Sequence, residues 1–145
     1  MIEISPLRPE DRAGWQPLAV GYNTFYERTQ PEAVYDTAWR RLMEGRELHG
    51  LAARLDGRMI AVTHYLFHPS VWYDHACYLA DLYVDETARG HGAARALIEA
   101  VAAVARAHGA ERCYWHTRND NAQARLLYDK VAKHMGFIRY DYPMT

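Results

Sequence analysis

Apolar residues recur at every second position in some segments of the chain and about every 3.6 positions in others. The first spacing predicts a strand and the second predicts a helix. Alternation over Ile2–Leu7 predicts a short first strand. Pro9 and the acids behind it are typical of a helix start, and the helical face continues to Tyr22. A second apolar stripe predicts a helix over Pro31–Glu44, which Gly45 would end.

The middle of the chain predicts a hairpin and then a buried strand. The runs His49–Leu55 and Met59–Phe67 flank Asp56-Gly57, a dipeptide typical of a two-residue hairpin turn. Cys77–Val84 is apolar except for Asp81 and a pair of tyrosines, as expected of a central strand that is covered on both faces.

The last third of the chain predicts strands that alternate with helices. Gly92–His108 keeps one apolar face and predicts a long helix that Gly109 ends. A strand over Arg112–Thr117, a helix over Asn121–Ala132 and an alternating final strand over Phe137–Tyr142 follow. This order predicts an α/β (α+β) sandwich with a mixed sheet, and its strand–helix–strand unit implies a parallel crossover.

Composition adds limits on the class of protein. The chain of 145 residues is expected to form one domain over 1–145, and its net charge of −1 would not attract nucleic acid or a membrane surface. The first residues lack the apolar core of a secretory leader, and the apolar run Ala93–Ala107 is too short and too charged to cross a bilayer, so a cytoplasmic location is expected. Cys77 and Cys113 belong to no CxxC pair and are expected to be buried, reduced thiols, with a disulfide or a metal ligand as the alternative.

The long helix is preceded by the stretch Arg89-Gly90-His91-Gly92-Ala93-Ala94. Glycine permits positive φ and close approach of a ligand, and the helix start presents unpaired amides and a partial positive charge. Such a turn favours phosphate or pyrophosphate. It lacks the Lys-Ser/Thr of a Walker A loop, and Arg95 stands where a dinucleotide fingerprint needs glycine or alanine. A turn with only a structural role is the alternative.

The stretch resembles the acyl-CoA pyrophosphate loop of the GNAT acetyltransferases, and further segments in the same order strengthen the resemblance. Asn121, Ala124, Leu127 and Tyr128 are similar to the second signature of that family. The strand CYLADLYVD, the strand YWHT and the helix segment LYDKVA are most similar to a subgroup typified by fungal histone and polyamine acetyltransferases. Ala80 departs from the Glu found in polyamine-acetylating relatives, which weakens a polyamine assignment.

The resemblance implies a GNAT fold: a central mixed, mostly antiparallel sheet of six to seven strands, about four flanking helices, and a splayed parallel strand pair that holds the cofactor. It implies direct transfer of acetyl from acetyl-CoA to a primary amine, either a small or polyamine-like molecule or a protein lysine, in a ternary complex without metal. A non-catalytic acyl-CoA-binding regulatory module is the alternative. A homodimer is expected, because the final strand reaches the terminus and could pair with a second subunit.

The resemblance assigns two kinds of contact with acetyl-CoA. Backbone of the central strand would pair with the pantetheine arm, and the glycine turn would hold the pyrophosphate. The implied cofactor-binding residues are Leu82, Tyr83, Val84, Arg89, Gly90, His91, Gly92, Ala93, Ala94, Asn121, Ala124 and Tyr128. Asn121 has a second interpretation as a helix N-cap. Arg125 and Lys130 either meet the ribose phosphate or lie on a solvated helix face.

Two residues are the candidates for catalysis. By resemblance Tyr128 protonates the leaving thiolate, since a phenol with a pKa near 10 is matched to a thiol. Asp81 either acts as a base through water or after burial raises its pKa, or it holds the cationic substrate. Its structural alternatives are a strand bulge and a pair with an arginine.

The candidate acceptor residues are aromatic or imidazole side chains. Tyr22 and Tyr26 would form an aromatic wall suited to an amine, or would simply pack the helices. His64 faces the expected cleft, and its neighbours show no reliable zinc pattern. His116 has the intrinsic pKa of a base, with a structural role near the strand end as the alternative.

Overall fold

The computed structural model describes Met1–Thr145 and places five strands in one sheet, in the order β1-β2-β3-β4-β5. The elements are β1 Ile2–Pro6, α1 Arg12–Phe25, α2 Glu32–Glu44, β2 His49–Leu55, β3 Arg58–Pro69, β4 His75–Val84, α3 Ala93–His108, β5 Arg112–Tyr114 and α4 Ala122–Val131. Single 3₁₀ turns precede α1 and follow β4. Strands β1 to β4 are antiparallel neighbours, whereas β4 and β5 are parallel.

The predicted turns and helix ends are confirmed. Asp56 and Gly57 have φ of 51° and 83°, so both central residues of the β2–β3 hairpin are left-handed, as its right-handed strand twist requires. Gly45 and Gly109 end α2 and α3 in the left-handed region. The predicted crossover is also confirmed, because α3 connects the parallel strands β4 and β5.

The sheet separates two hydrophobic clusters. Helices α1 and α2 cover one face through buried residues that include Trp15 and Trp39. Helix α3 covers the other face through Leu97 and Val101, which pack with strand residues such as Ile60. Each helix therefore buries one stripe against the sheet, and the central strands are buried on both faces.

The expected sheet of six to seven strands is wrong, because the structure has five. Phe137–Tyr142 forms no strand, and its apolar side chains are exposed. A strand needs a neighbour for its backbone hydrogen bonds, and no other strand of this chain pairs with the tail. The strand predicted over Arg112–Thr117 ends at Tyr114 for the same reason, since its neighbour β4 pairs no further than Tyr78.

The parallel strands β4 and β5 separate early. Only three residue pairs join them, the last being Tyr78 with Tyr114, while β4 continues to Val84 without a partner on that side. Cys77 and Cys113 face each other in the paired part as free thiols. Cys77 is buried as predicted, whereas Cys113 is partly exposed because it lies on the edge strand. None of the helices is long and apolar enough to cross a membrane.

Candidate active site

The glycine turn lies between β4 and α3 in a conformation that requires glycine. Gly90 and Gly92 have φ of 87° and 78°, where a side chain would be strained. A Cβ at either position would meet no atom within 4 Å, so the turn faces open space. The backbone dihedrals, and not crowding, account for both glycines.

Backbone donors are concentrated at this turn. The first helical hydrogen bond of α3 runs from the amide of Ala96 to the carbonyl of Gly92, and the amides of residues 90–95 donate to no acceptor in the protein. His91 is tied to the turn by its Nδ1, 3.0 Å from the carbonyl oxygen of Ala88. These amides and the helix dipole favour an anion.

Two arginines flank the turn, and one of them is paired with an acidic residue whereas the other is not. Arg95 pairs with Glu99 at 2.8 Å on the surface of α3. Arg89 is exposed and forms no ion pair or side-chain hydrogen bond, so its guanidinium is available to a phosphate at the turn.

The second signature forms the start of α4 and one partly buried tyrosine. The side chain of Asn121 accepts from the amide of Ala124 at 3.4 Å and donates to Thr117 Oγ1 at 3.0 Å, so Asn121 is the N-cap. The ring of Tyr128 packs edge-on against Trp115, with 5.4 Å between centroids, while its hydroxyl has no hydrogen-bond partner in the protein. Burial raises the pKa of Tyr128 to about 12, with a smaller contribution from Tyr26.

An irregularity in the β3–β4 ladder positions Asp81. His64 is paired with Asp81 and Tyr65 with Leu79, which leaves Ala80 as an extra residue in β4. The hydroxyl of buried Thr63 donates to the carbonyl oxygen of Asp81 at 2.7 Å and satisfies the bulge. The structural alternative for Asp81 was a carboxylate that caps a strand bulge. The bulge is present, but the hydroxyl of Thr63 binds its carbonyl oxygen, and the carboxylate of Asp81 binds His64 on the face covered by α1.

The carboxylate of Asp81 is held by a histidine of defined tautomer. The indole N–H of Trp15 donates to Nε2 of His64 at 2.9 Å, and Nδ1 of His64 lies 2.7 Å from Oδ2 of Asp81. Because an indole nitrogen can only donate, Nε2 is the acceptor and the ring proton is on Nδ1, where it is donated to Asp81. Both ring nitrogens of His64 are thus engaged in hydrogen bonds.

These contacts set the charge of the site. Burial raises the pKa of Asp81, but the hydrogen bond from His64, the phenol of Tyr22 and the positive charge of Arg28 outweigh it, and the pKa lies below its ordinary value. Burial and the charge of Asp81 raise the pKa of Tyr22. The direction of this shift argues against the alternative in which burial raises the pKa of Asp81, because its hydrogen bonds favour the charged form.

A cavity of about 260 Å³ opens over this carboxylate between α1, α2 and the sheet. Thirteen of its 18 lining residues are hydrophobic, and its only carboxylate and only arginine or lysine are Asp81 and Arg28. Tyr22 and His64, both predicted acceptor residues, line it together with Tyr83. The cavity and the glycine turn are connected by the last residues of β4.

Two predicted acceptor residues lie outside the cavity lining. Tyr26 packs on Tyr22, with 5.1 Å between ring centroids, and contributes to the raised pKa of Tyr128. His116 is exposed, and its Nδ1 lies 3.2 Å from the hydroxyl of Tyr78. Arg125 is engaged with the carbonyl oxygen of Asn119 at 2.7 Å.

Sequence reasoning missed Trp15 and Arg28. Trp15 stands three residues before Leu18 and seven before Tyr22, so the helical spacing already placed it on the face that now lines the cavity. Arg28 had no comparable signal, because it follows the end of α1, where no periodicity applies.

A sheet with early-separating parallel strands, a turn that favours an anion and an adjoining carboxylate are the features expected of an acyltransferase that uses acyl-CoA. The sequence profile of the acetyltransferase (GNAT) family matches residues 15–137. D-amino-acid N-acetyltransferase HPA3 of Saccharomyces cerevisiae is 35% identical over 135 residues, which are 90% of this chain and 84% of that protein. The chain belongs to the acetyltransferase (GNAT) family and is an N-acetyltransferase.

Solved structures agree on the fold. A probable acetyltransferase superimposes with a TM-score of 0.87 at 23% identity, covering 99% of this chain and 98% of its own. The structure of AAC(6')-Iy in complex with the bisubstrate analogue CoA-S-monomethyl-acetylneamine gives the same TM-score at 15% identity, covering 100% and 99%. At these identities the likeness shows the fold alone.

Proposed function

We propose that the chain transfers the acetyl group of acetyl-CoA to a small primary amine by direct attack in a ternary complex. One arrangement carries the proposal. Strand β4 connects the glycine turn, which would hold an anion, with the carboxylate of Asp81, which would hold a cation. Between these two sites the edge of β4 has no strand partner. A pyrophosphate-bearing donor and an amine acceptor would meet along that edge.

The residues at the turn fit the pyrophosphate of acetyl-CoA. Amides of residues 90–95 would donate to it, and Arg89 would add a charge-assisted hydrogen bond. The free edge of β4 over Leu82, Tyr83 and Val84 would pair with the amides of the pantetheine arm. The same edge offers backbone donors for the negative charge that develops on the carbonyl oxygen. AAC(6')-Iy, which shares the fold, was solved with a CoA-based analogue.

Asp81 would receive the acceptor as an ammonium ion and would not take its proton. Its lowered pKa makes it a poor base, and both nitrogens of His64 are engaged. The amine therefore loses its proton to water before attack. Its lone pair then forms the bond to the carbonyl carbon, and the carbon–sulfur bond breaks to leave a thiolate. The nitrogen loses its second proton to water, which gives the neutral amide.

Tyr128 would act on the thiolate. Its free hydroxyl is the available donor. With a pKa of about 12, however, full transfer of its proton to the thiolate of a thiol with a pKa near 8.5–10 is uphill by about 3–5 kcal/mol. The pKa of Tyr128 is therefore not closely matched to that of the thiol, as the pKa of an ordinary tyrosine would be. A hydrogen bond to the sulfur as the bond breaks, completed by a proton from solvent, suits this pKa better.

The acceptor is proposed to be small. The cavity volume of about 260 Å³ is below the range typical of drug-sized ligands. The yeast relative is named for D-amino acids. Ala80, which offers no second carboxylate beside Asp81, argues against a polyamine with several charges.

Thiol release from acetyl-CoA with a panel of amines tests the proposal. The panel comprises amino acids of both configurations, monoamines, polyamines, an aminoglycoside and histone-tail peptides. We expect turnover with small amines and mass addition of one acetyl group to the product. Tight CoA binding without turnover on any amine would favour a non-catalytic acyl-CoA-binding module.

The chain is further proposed to form a homodimer in the cytoplasm. Strand β5 is an edge strand, and the tail after α4 exposes Phe137, Ile138, Tyr140 and Tyr142. Pairing of the tail with β5 of a second copy would supply the missing neighbour to both segments and would cover these side chains.

A further inference from the structure

The cavity wall carries one positive side chain, and the transfer reaction as described above gives it no role. We propose that Arg28 binds a carboxylate of the acceptor whose amine lies at Asp81, so that the preferred acceptors are amino acids with apolar side chains. The inference rests on the proposed function and narrows its substrate class. It makes Arg28 a specificity-determining residue.

The backbone around Arg28 is fixed by the end of α1. The amide of Arg28 donates to the carbonyl of Asn23 at 2.8 Å, and that of Glu27 donates to Thr24 at 2.9 Å. Glu27 itself is left-handed, with φ of 57°, which closes the helix and turns the chain. A non-glycine residue in this conformation is uncommon, so the turn holds Arg28 at a defined place beside the cavity.

The side chain of Arg28 is oriented by aromatic rings and lacks a protein acceptor. Its guanidinium carbon lies 5.3 Å from the ring centroid of Tyr26 and 5.8 Å from that of Tyr22. It forms no ion pair or side-chain hydrogen bond with the protein, although Asp81 lines the same cavity. Stacking over rings leaves the N–H edge of a guanidinium free, and that edge matches a carboxylate in a bidentate arrangement.

The two charges of the cavity suit a zwitterion. Asp81 is held on the sheet by His64, and Arg28 is an exposed residue in the turn after α1. They are near enough for the charge of Arg28 to lower the pKa of Asp81. An amino acid would neutralise both groups, whereas a diamine or polyamine would bring a second cation toward Arg28 and be repelled.

The rest of the cavity wall would contact the side chain of such an acceptor. It is formed mainly by aliphatic groups of α2, of the sheet and of the loop between α2 and β2, namely Val34, Ala38, Leu42, Leu48, Val62 and Leu66. Burial of an apolar side chain against these groups would contribute about 25 cal/mol for each Å² removed from water. We therefore expect leucine and phenylalanine to be better acceptors than aspartate or lysine.

Matched pairs of acceptors test the role of Arg28. Each amino acid is compared with the amine that lacks only its carboxylate, leucine with isopentylamine and phenylalanine with phenethylamine, both enantiomers of each amino acid being used. Steady-state kcat and KM at saturating acetyl-CoA are measured for the wild type, Arg28→Gln and Arg28→Lys. Arg118→Gln is the control, since Arg118 lies 5.2 Å from the ring of Tyr26 but outside the cavity lining.

We expect the wild type to favour the amino acid over its amine by at least about tenfold in kcat/KM. Arg28→Gln should lower that ratio by about 10- to 100-fold, mainly through KM, the range for loss of a hydrogen bond to a charged group. Arg28→Lys should recover part of the ratio, and Arg118→Gln should leave it unchanged.

Equal use of amino acids and amines by the wild type, or an unchanged ratio in Arg28→Gln, would overturn the assignment of Arg28 while leaving acetyl transfer intact. Absence of transfer to every acceptor, with CoA still bound, would instead overturn the proposed function and this inference with it.

Discussion

Nδ1 of His64 lies 2.7 Å from Oδ2 of Asp81, and the proton between them belongs to the histidine because Trp15 occupies the other ring nitrogen. The imidazole thus serves as a fixed donor that keeps the carboxylate charged. A histidine–aspartate pair in a cleft is easily mistaken for a base and its orienting group. Here the direction of the hydrogen bonds leaves a charged carboxylate of Asp81 in the cavity wall, as the proposed binding of an ammonium ion requires.

Replacing Asp81 by Asn removes this charge while keeping the shape of the side chain. We expect kcat/KM for the amine to fall by about 10- to 100-fold, since a charge-assisted hydrogen bond to the ammonium ion is lost. The KM for acetyl-CoA should stay within twofold, because the glycine turn is untouched. An amine kcat/KM within twofold of the wild type would remove Asp81 from acceptor binding.

The dependence of kcat/KM on pH should reflect the acceptor and not the protein. The pKa of Asp81 is lowered from its usual 3.8, so its charge is complete above pH 5 and is lost only in stronger acid. Tyr128, with a pKa of about 12, stays protonated throughout. For an alkyl amine of pKa near 10.4, kcat/KM should rise about tenfold for each pH unit between 6 and 9. A plateau beginning near pH 7 would indicate a base in the protein instead.

Tyr128→Phe tests the donor to the leaving sulfur. The hydroxyl has no partner in the protein, so its loss should leave the fold and the packing on Trp115 intact. We expect kcat to fall by about 10²-fold with little change in either KM, as for removal of a group that acts in the transition state. Equal kcat at saturating acetyl-CoA would exclude Tyr128 from the mechanism.

Gly92→Ala separates the role of the turn from the stability of α3. Gly92 and Gly109 lie at the two ends of this helix with φ of 78° and 89°, and a Cβ at either would meet nothing within 4 Å. Alanine at each should therefore lower the free energy of unfolding by a similar amount, about 1–2 kcal/mol. Only Gly92→Ala should also raise the KM for acetyl-CoA, by about tenfold, because it moves the amide donors.

Denaturant unfolding and acetyl-CoA titration of both variants provide the comparison. Similar changes of acetyl-CoA affinity in Gly92→Ala and Gly109→Ala would mean that the turn acts through helix stability alone.

The sequence predicted the elements that local rules control. Periodicity and the glycines at helix ends gave three helices within a residue or two, because each signal acts within a few positions of where it is read. The sequence also predicted that the glycine turn and Asp81 lie near each other, since Asp81 lies on one strand and the turn follows the end of that strand. The tautomer of His64 was not predictable, because it depends on Trp15, 49 residues away along the chain.

The errors in the predicted strands share one physical cause. Alternation over Phe137–Tyr142 indicates that this segment can form a strand. Whether it does so depends on a neighbouring strand that supplies hydrogen bonds. The single chain offers none to the tail, and none to β5 beyond Tyr114. The count of six to seven strands assumed a partner for both.

A second copy of the chain would provide that partner, and removal of residues 137–145 tests it. The tail carries Phe137, Ile138 and Tyr140, which are 84%, 76% and 87% exposed, and alternating residues of this kind suit the free edge of β5. We expect the full chain to sediment as a dimer at micromolar concentration and the truncated chain as a monomer. A milder variant, Ile138→Asp with Tyr140→Asp, should weaken the dimer without shortening the chain, because carboxylates on the covered face would be buried unpaired.

The melting temperature of the full chain should rise with its concentration, since association stabilises the folded subunit by mass action, and that of the truncated chain should not. A monomeric full chain with a melting temperature independent of concentration would contradict the dimer.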